Sequence, residues 1–193
     1  MKIANDDWQY LLPFLICLMF FIITDIFRFV DKTSLAYWSG ALINEPHRII
    51  TSHFIHGNEN HLLLNTFGIV FARFCLKSLK LNNNYFFLLL ISLLIPLQTI
   101  IFWLSDMLIF HNLMSLAIGF SGIIYGLNAF ILLASLYGKR EFIGFPIVLE
   151  KNRQVHQAVL TLTVIGFIWS LLPGISLNGH LSGFIAGSIL FLL

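Results

Sequence analysis

The sequence predicts an all-α, polytopic membrane protein, built as a bundle of six transmembrane helices in a single domain over residues 1–193, without a separate soluble domain. Hydrophobic residues make up 58% of the chain and charged residues only 10%, and the mean hydropathy is +0.88. Soluble domains usually carry about 25% charged residues. Crossing the ~30 Å hydrocarbon core takes about 20 helical residues. Six segments fit that requirement: residues 8–29, 59–76, 85–104, 119–137, 156–172 and 177–193.

The first apolar segment is expected to remain in the protein as a membrane anchor. Its apolar core, residues 11–23, is followed directly by the polar and charged residues 24–28. A cleaved signal peptide would instead end in a site of small residues. The two cysteines, Cys17 and Cys75, lie in or beside apolar segments far apart in the sequence, which predicts packing residues and not a disulfide.

The segments that connect the predicted spans are mostly short. Three asparagines, residues 82–84, predict a tight turn between the second and third spans. Residues 107–118 are also apolar, but they include His111 and Asn112 and are too few to cross a bilayer. We therefore place them in an external loop that is either irregular or helical.

The basic residues predict the orientation of the helices. With the N-terminus in the cytoplasm, roughly eight basic residues fall in cytoplasmic segments and three in external ones, in agreement with the positive-inside rule. The cytoplasmic set is Lys2, Arg73, Lys77, Lys80, Lys139, Arg140, Lys151 and Arg153, and the external set is Arg28, Lys32 and Arg48. We expect an integral protein of a bacterial inner membrane. The basic residues form no continuous patch, so no nucleic-acid partner is expected.

Two polar residues stand where the fourth and sixth spans begin, Ser121 and His180. Polar groups in membrane helices are costly and usually functional. Counted at ~1.5 Å per residue, His180 lies about 20 Å and Ser121 about 24 Å from the far ends of their spans, so the two lie at similar depth. A serine becomes a nucleophile when a base within hydrogen-bond reach takes its proton. A lone serine would more simply be a polar contact between helices.

Glycines accompany both residues at helical spacing. Gly119, Gly122 and Gly126 surround the serine, and Gly183 and Gly187 follow the histidine. Small residues three and four positions apart let two helix backbones approach closely, which predicts a packing seam that brings the two polar residues together. Tyr125 shares a helical face with Ser121. Its ring either holds the His180 imidazole or is a plain interface residue.

A third polar cluster contains His53, His56, His61 and Asn65. His61 and Asn65 are one turn apart, so both project from one face of the second span. Donors at that position could stabilise the negative oxygen of a tetrahedral intermediate, together with the Ser121 amide at a helix N-terminus. The alternative is a metal site, because Glu59 lies nearby, but no His-Glu-x-x-His segment is present. We expect neither a metal nor another cofactor.

Taken together, the ordered motifs resemble the rhomboid family of intramembrane serine proteases, and the resemblance covers about residues 10–193. The motifs are His56-x4-His61-x3-Asn65, Gly119-x-Ser121-Gly122-x3-Gly126 and His180-x2-Gly183-x3-Gly187, on the second, fourth and sixth spans. The resemblance implies a six-helix rhomboid-like bundle that hydrolyses peptide bonds in or near the transmembrane segments of substrate proteins within the lipid bilayer.

The resemblance also implies roles for individual residues. Ser121 and His180 would form a catalytic dyad with no acidic third member, and Tyr125 would stack on the histidine. The oxyanion site would be formed by His61, Asn65 and the Ser121 amide. The remaining motif residues are expected to have structural or supporting roles: His56, Gly119, Gly122, Gly126, Gly183 and Gly187.

One segment departs from the family pattern. Rhomboids often carry Glu-x-Trp-Arg in the first external loop, and here the segment runs from Glu45 to Arg48 with His47 at the tryptophan position. The two charged residues match, whereas the packing of the loop around them is expected to differ.

Other readings of the sequence remain open. Asp25 and Asp106 lie near span ends, where they are most simply interfacial or capping residues, so a pair of catalytic aspartates is not supported. A non-catalytic rhomboid-like protein that binds membrane helices is one rival, and a small metal or proton transporter is another. The loop at residues 171–178 contains Pro173 and Gly174 and is either a lid or an ordinary tight turn.

Overall fold

The computed structural model describes residues 7–193. Residues 1–6, which include Lys2 of the charge count, lie outside the described residues. The described chain is mostly helical and contains seven α-helices. These are α1 (Trp8–Phe21), α2 (Arg48–Thr51), α3 (Glu59–Ser78), α4 (Phe86–Leu108), α5 (Ser121–Tyr137), α6 (Arg153–Trp169) and α7 (Leu177–Leu192). A π-helical turn, Ile22–Ile26, continues α1, and a single 3-10 turn spans Lys32–Ser34.

The first predicted span coincides with α1 and the π-helical turn after it, and each of the other five coincides with one long helix, to within a few residues. By length and hydropathy, two helical segments within residues 7–193 meet the criteria of a full membrane crossing, Trp8–Ile26 and Phe86–Leu108. Ser121–Tyr137 and Leu177–Leu192 are shorter apolar helices. Cys17 and Cys75 are both buried and free, as their apolar surroundings predict.

The all-α prediction was incomplete, because the structure contains two small antiparallel sheets. One pairs β1 (Tyr37–Trp38) with β2 (Leu116–Ala117), and the other pairs β3 (Lys139–Phe142) with β4 (Phe145–Leu149). The second is a hairpin whose turn has positive φ at both central residues. Turns of this kind favour Asn-Gly or Asp-Gly, whereas here Ile and Gly occupy the two positions, so the hairpin has no typical turn sequence.

The loop at residues 107–118 is divided between two elements. Helix α4 extends to Leu108, and strand β2 takes up Leu116–Ala117. The stretch between them is irregular, and Asn112 closes it by donating its backbone N–H to the Asp106 carbonyl at 2.9 Å.

Helix α5 occupies the centre of the bundle, where it packs against α3, α4, α6 and α7. The apolar core around it includes Ile123, Leu127, Phe130 and Ala134, none of which is exposed. Helices α5 and α7 both begin at the same end of the bundle, which we call the site end. The loops after α1, α4 and α6 also lie there, so residues from distant parts of the sequence can meet.

The contact between α5 and α7 is a glycine seam formed by Gly122, Gly126, Gly183 and Gly187. A Cβ atom on Gly183 would overlap the Gly122 carbonyl, and one on Gly187 would overlap the Gly126 carbonyl. Gly183 and Gly187 are thus packed directly against the backbone of α5. The seam fixes the height at which the first turns of the two helices face each other.

Side-chain caps begin α3 and α7, two of the helices that carry the polar residues. The Asn58 side chain accepts a hydrogen bond from His61 N at 2.9 Å at the start of α3. Ser176 does the same for Gly179 N at 3.1 Å at the start of α7. Such caps satisfy backbone donors that have no partner within the helix, and they fix where each helix starts.

Candidate active site

The Ser121 hydroxyl and the His180 imidazole are in hydrogen-bond contact. The distance from Ser121 Oγ to His180 Nε2 is 2.8 Å, although the two residues are 59 positions apart in the sequence. Ser121 is the first residue of α5, and His180 lies in the first turn of α7. The pair that the motifs predicted is therefore brought together by the glycine seam beneath it.

The histidine ring is held from two further sides. The Tyr125 ring stacks on it with centroids 4.3 Å apart and an interplanar angle of 13°. On its other nitrogen, His180 Nδ1 lies 2.6 Å from Ser170 Oγ. His180 is 8% exposed, so the imidazole is almost entirely enclosed.

Ser170 is a contact that the sequence did not indicate. It follows the last residue of α6, in an apolar stretch with no recognisable motif. One available clue is its spacing four residues after Gly166, which places a small residue and a hydroxyl on the same helical face. That spacing is too common in membrane helices to single out a site residue.

A second group of donors lies beside the loop that leads into Ser121. Gly119 has φ +110°, a conformation open to glycine and strained for other residues. A Cβ atom there would lie 2.5 Å from His61 Nε2 and 3.3 Å from Asn65 Nδ2. The glycine therefore lets the chain pass close to both nitrogens, two residues before Ser121.

Hydrogen bonding indicates how His61 is protonated. Gly57 N–H donates to His61 Nδ1 at 3.4 Å, so in the neutral ring the proton lies on Nε2, the nitrogen nearer Gly119. Asn65 is 4% exposed, and its Nδ2 has no hydrogen-bond partner among residues 7–193. Both residues thus present N–H donors towards the same small region.

The other two histidines of the cluster do not join the Ser–His pair. His56 is fully buried, its Nδ1 donates to the Phe54 carbonyl at 3.2 Å, and its ring meets that of His61 edge to face at 5.1 Å. His53 Nε2 contacts Thr99 Oγ1 on α4 at 2.8 Å. Within the described part of the chain, no group of three or more His, Cys, Asp or Glu residues is arranged to hold a metal ion.

Glu45 and Arg48, the two charged residues that match the family pattern in the first loop, form an ion pair. Arg48 Nε donates to Glu45 Oε2 at 2.7 Å, and Arg48 NH1 donates to the carbonyls of Thr33 and Ala36, both at 2.6 Å. The guanidinium also lies over the Trp38 ring at 5.9 Å. The arginine therefore organises the segment from α1 to α3, although the segment 45–48 itself has no tryptophan.

The two acidic residues expected at span ends have different surroundings. Asp25 forms an ion pair with Lys32 at the end of α1.

Asp106 is 3% exposed, so the interfacial or capping role expected for it was wrong. Its carboxylate accepts hydrogen bonds from Tyr37 Oη at 2.8 Å and Asn178 Nδ2 at 2.9 Å. Neither carboxylate contacts Ser121 or His180 in the described structure.

The order and spacing of these residues agree with a comparison against known families. The sequence model of the Rhomboid domain matches residues 44–193, which is more than half of the chain. The chain belongs to the rhomboid family. It is accordingly an integral membrane protein with a mostly helical rhomboid domain. A comparison with curated proteins gave no significant match.

Proposed function

We propose that this rhomboid-family protein is an intramembrane serine endopeptidase that cleaves membrane-protein substrates in or near their transmembrane segments. The observation that carries the proposal is the 2.8 Å contact between Ser121 Oγ and His180 Nε2. A hydroxyl in hydrogen-bond contact with an imidazole is the arrangement that serine hydrolases use to generate a nucleophile. The family match supports it.

In the proposed mechanism, Ser121 attacks the carbonyl carbon of the scissile peptide while His180 accepts the hydroxyl proton at Nε2. The tetrahedral intermediate collapses when His180 returns that proton to the leaving amine, which leaves an acyl group on Ser121. A water molecule, deprotonated in turn by His180, then hydrolyses the ester and restores the serine. Water must reach the pair, so we expect a hydrophilic cavity open to the outer side.

The negative oxygen of the intermediate would be stabilised by three donors. Asn65 Nδ2 and His61 Nε2 both lie close to Gly119, two residues before the nucleophile. The Ser121 amide is the third, because the first N–H groups of a helix have no partner within it and carry the positive end of the helix dipole. Donors fixed in place before the reaction are the most effective form of this stabilisation.

The proposal also includes the arrangement in the membrane. We propose that α1 and α3–α7 are six membrane-spanning helices of a single domain, that the N-terminus is cytoplasmic, and that the protein resides in a bacterial inner membrane. The site end then faces outwards. A substrate helix must unwind locally before cleavage, because its carbonyls are otherwise engaged in helical hydrogen bonds. A lid role for the loop at residues 171–178 stays a prediction.

Cleavage of a model single-pass substrate by the purified protein in proteoliposomes tests the proposed function. We expect cleavage by the unaltered protein and none above background with Ser121→Ala or His180→Ala, and a fluorophosphonate probe should label Ser121 only in the unaltered chain. Cleavage that persisted in both variants would reject the dyad. Binding of substrate helices without any cleavage would favour the helix-binding alternative, and metal found by elemental analysis would favour the transporter.

A further inference from the structure

Ser170 lies at the meeting point of three polar groups at the site end. It is 2% exposed, and its Oγ lies 2.7 Å from the Gly166 carbonyl, 2.6 Å from His180 Nδ1 and 3.2 Å from Tyr125 Oη. These three contacts come from α5, α6 and α7. The Ser170 hydroxyl thus connects α5, which carries Ser121, α7, which carries His180, and α6, which lies between them in the sequence.

The positions of the hydrogen atoms follow from the chemistry of each group. Two oxygen atoms 2.7 Å apart require a hydrogen between them, and the Gly166 carbonyl has none to give. The Ser170 hydroxyl must therefore donate to Gly166. Its oxygen then has two lone pairs left, which accept from the Tyr125 hydroxyl and from His180 Nδ1–H. Every polar atom in the group is satisfied by this single arrangement.

The opposite arrangement leaves a contact unexplained. If Ser170 donated its proton to Nδ1, its oxygen and the Gly166 carbonyl would face each other without a hydrogen. His180 would then carry its own proton on Nε2, where it could no longer accept the Ser121 proton. The two tautomers therefore differ in whether the histidine can act as a base.

We infer that Ser170 is a positioning residue that holds His180 in the Nδ1–H tautomer, so that Nε2 is free to accept the proton of Ser121. This inference rests on the proposed function and extends it. When Nε2 takes the proton, the charged ring keeps its Nδ1–H bond to the Ser170 oxygen. A neutral hydroxyl thus stands at the place where many serine hydrolases have a carboxylate.

The neighbouring glycine supports this arrangement. A Cβ atom on Gly166 would overlap the Tyr125 hydroxyl. The Tyr125 ring needs that space in order to stack on His180 and reach Ser170. Gly166 and Ser170 are one helical turn apart, so one face of α6 supplies both the room for the tyrosine and the acceptor for the histidine.

Kinetics of Ser170→Ala provide the first test, with Ser170→Thr as the conservative variant. We expect kcat to fall about 10–100-fold in Ser170→Ala, with KM unchanged because the residue touches no substrate, and to recover in Ser170→Thr. Ser188→Ala is the matched control, since Ser188 makes the same bond to the carbonyl four residues earlier, at 2.9 Å, on α7. Unchanged kcat in Ser170→Ala would overturn the inference.

The second test measures the tautomer of the His180 ring directly and does not depend on cleavage activity. In the inactive Ser121→Ala background, 15N-histidine NMR should show His180 with protonated Nδ1 and bare Nε2, with His180 assigned by its loss in His180→Ala. Adding Ser170→Ala should convert it to a tautomer mixture. A protonated Nε2, or a spectrum unaffected by the loss of Ser170, would contradict the inference. If the unaltered protein cleaves nothing, the proposed function fails while this measurement still decides the role of Ser170.

Discussion

The two polar regions at the site end differ in how completely their hydrogen bonds are made. Around His180, both ring nitrogens have partners and the ring is stacked on Tyr125. Around Asn65, a buried amide nitrogen has no partner in the described structure. A buried donor without a partner costs about 1–3 kcal/mol, so such a group is kept where it is useful in another state. The region around His180 has its hydrogen bonds complete in the resting protein. Under the proposed function, the region around Asn65 completes its hydrogen bonds in the transition state.

The largest effect is expected from breaking the seam that supports the first region. Gly183→Leu would place a side chain on the Gly122 carbonyl and push α7 away from α5. We expect the free energy of unfolding to fall by about 3 kcal/mol or more and the Ser121–His180 contact to be lost. Thermal unfolding in detergent measures the loss of stability, and substrate cleavage reports the loss of the contact.

Ile185→Leu, on the exposed face of the same helix, is the matched control and should leave the unfolding temperature unchanged. Equal unfolding temperatures for the two variants would show that the seam tolerates a side chain and that the close packing is not required.

The contrast between the two regions is sharpest at Asn65. Asn65→Leu removes a donor that makes no bond, so we expect the protein to be more stable by about 1 kcal/mol. Cleavage should nevertheless slow by about 10–1000-fold, because one oxyanion donor is lost. Unfolding temperature and kcat measured on the same preparation show whether stability and activity move in opposite directions.

Asn178→Leu is the comparison variant for stability. Its amide donates to Asp106 and accepts from Ser105, both at 2.9 Å, so its loss should lower the unfolding temperature. If both asparagine variants were destabilised alike, the unpartnered state of Asn65 Nδ2 would not be a property of the folded protein in solution.

The smallest effect is expected at the charged pair of the first loop, away from both regions. Glu45→Gln removes one partner of Arg48, while the two backbone carbonyls that accept from the guanidinium remain. Because the Glu45 side chain is 42% exposed, we expect a loss of less than about 1 kcal/mol by thermal unfolding. A loss as large as that of Gly183→Leu would mean that this pair holds the whole loop segment in place.

The helices and the Ser–His contact could be predicted from the sequence because each rests on a strong local signal. Apolar segments placed the six long helices, and the glycines after Ser121 and His180 predicted that their helices pack closely. Predicting the Ser121–His180 contact took one further inference: side chains at equal depth on two packed helices can meet. In the structure, Ser121 Oγ lies 2.8 Å from His180 Nε2.

Other features could not be predicted, because they depend on the meeting of distant, weakly marked residues. Ser170 is one serine among several in apolar helices, and its neighbours in space come from two other helices. Asp106 resembled a residue at a helix end, yet Tyr37 and Asn178 enclose it. The hairpin of β3 and β4 turns at Ile143 and Gly144, where no common turn sequence announces it.

The glycine seam has a consequence for how a peptide could approach the serine. The backbones of α5 and α7 touch where the glycines have no side chains, so no third chain fits between these two helices. A polypeptide segment therefore cannot enter from the lipid bilayer between α5 and α7. Under the proposed function, a substrate segment would therefore approach Ser121 from a side of the bundle other than the contact between α5 and α7.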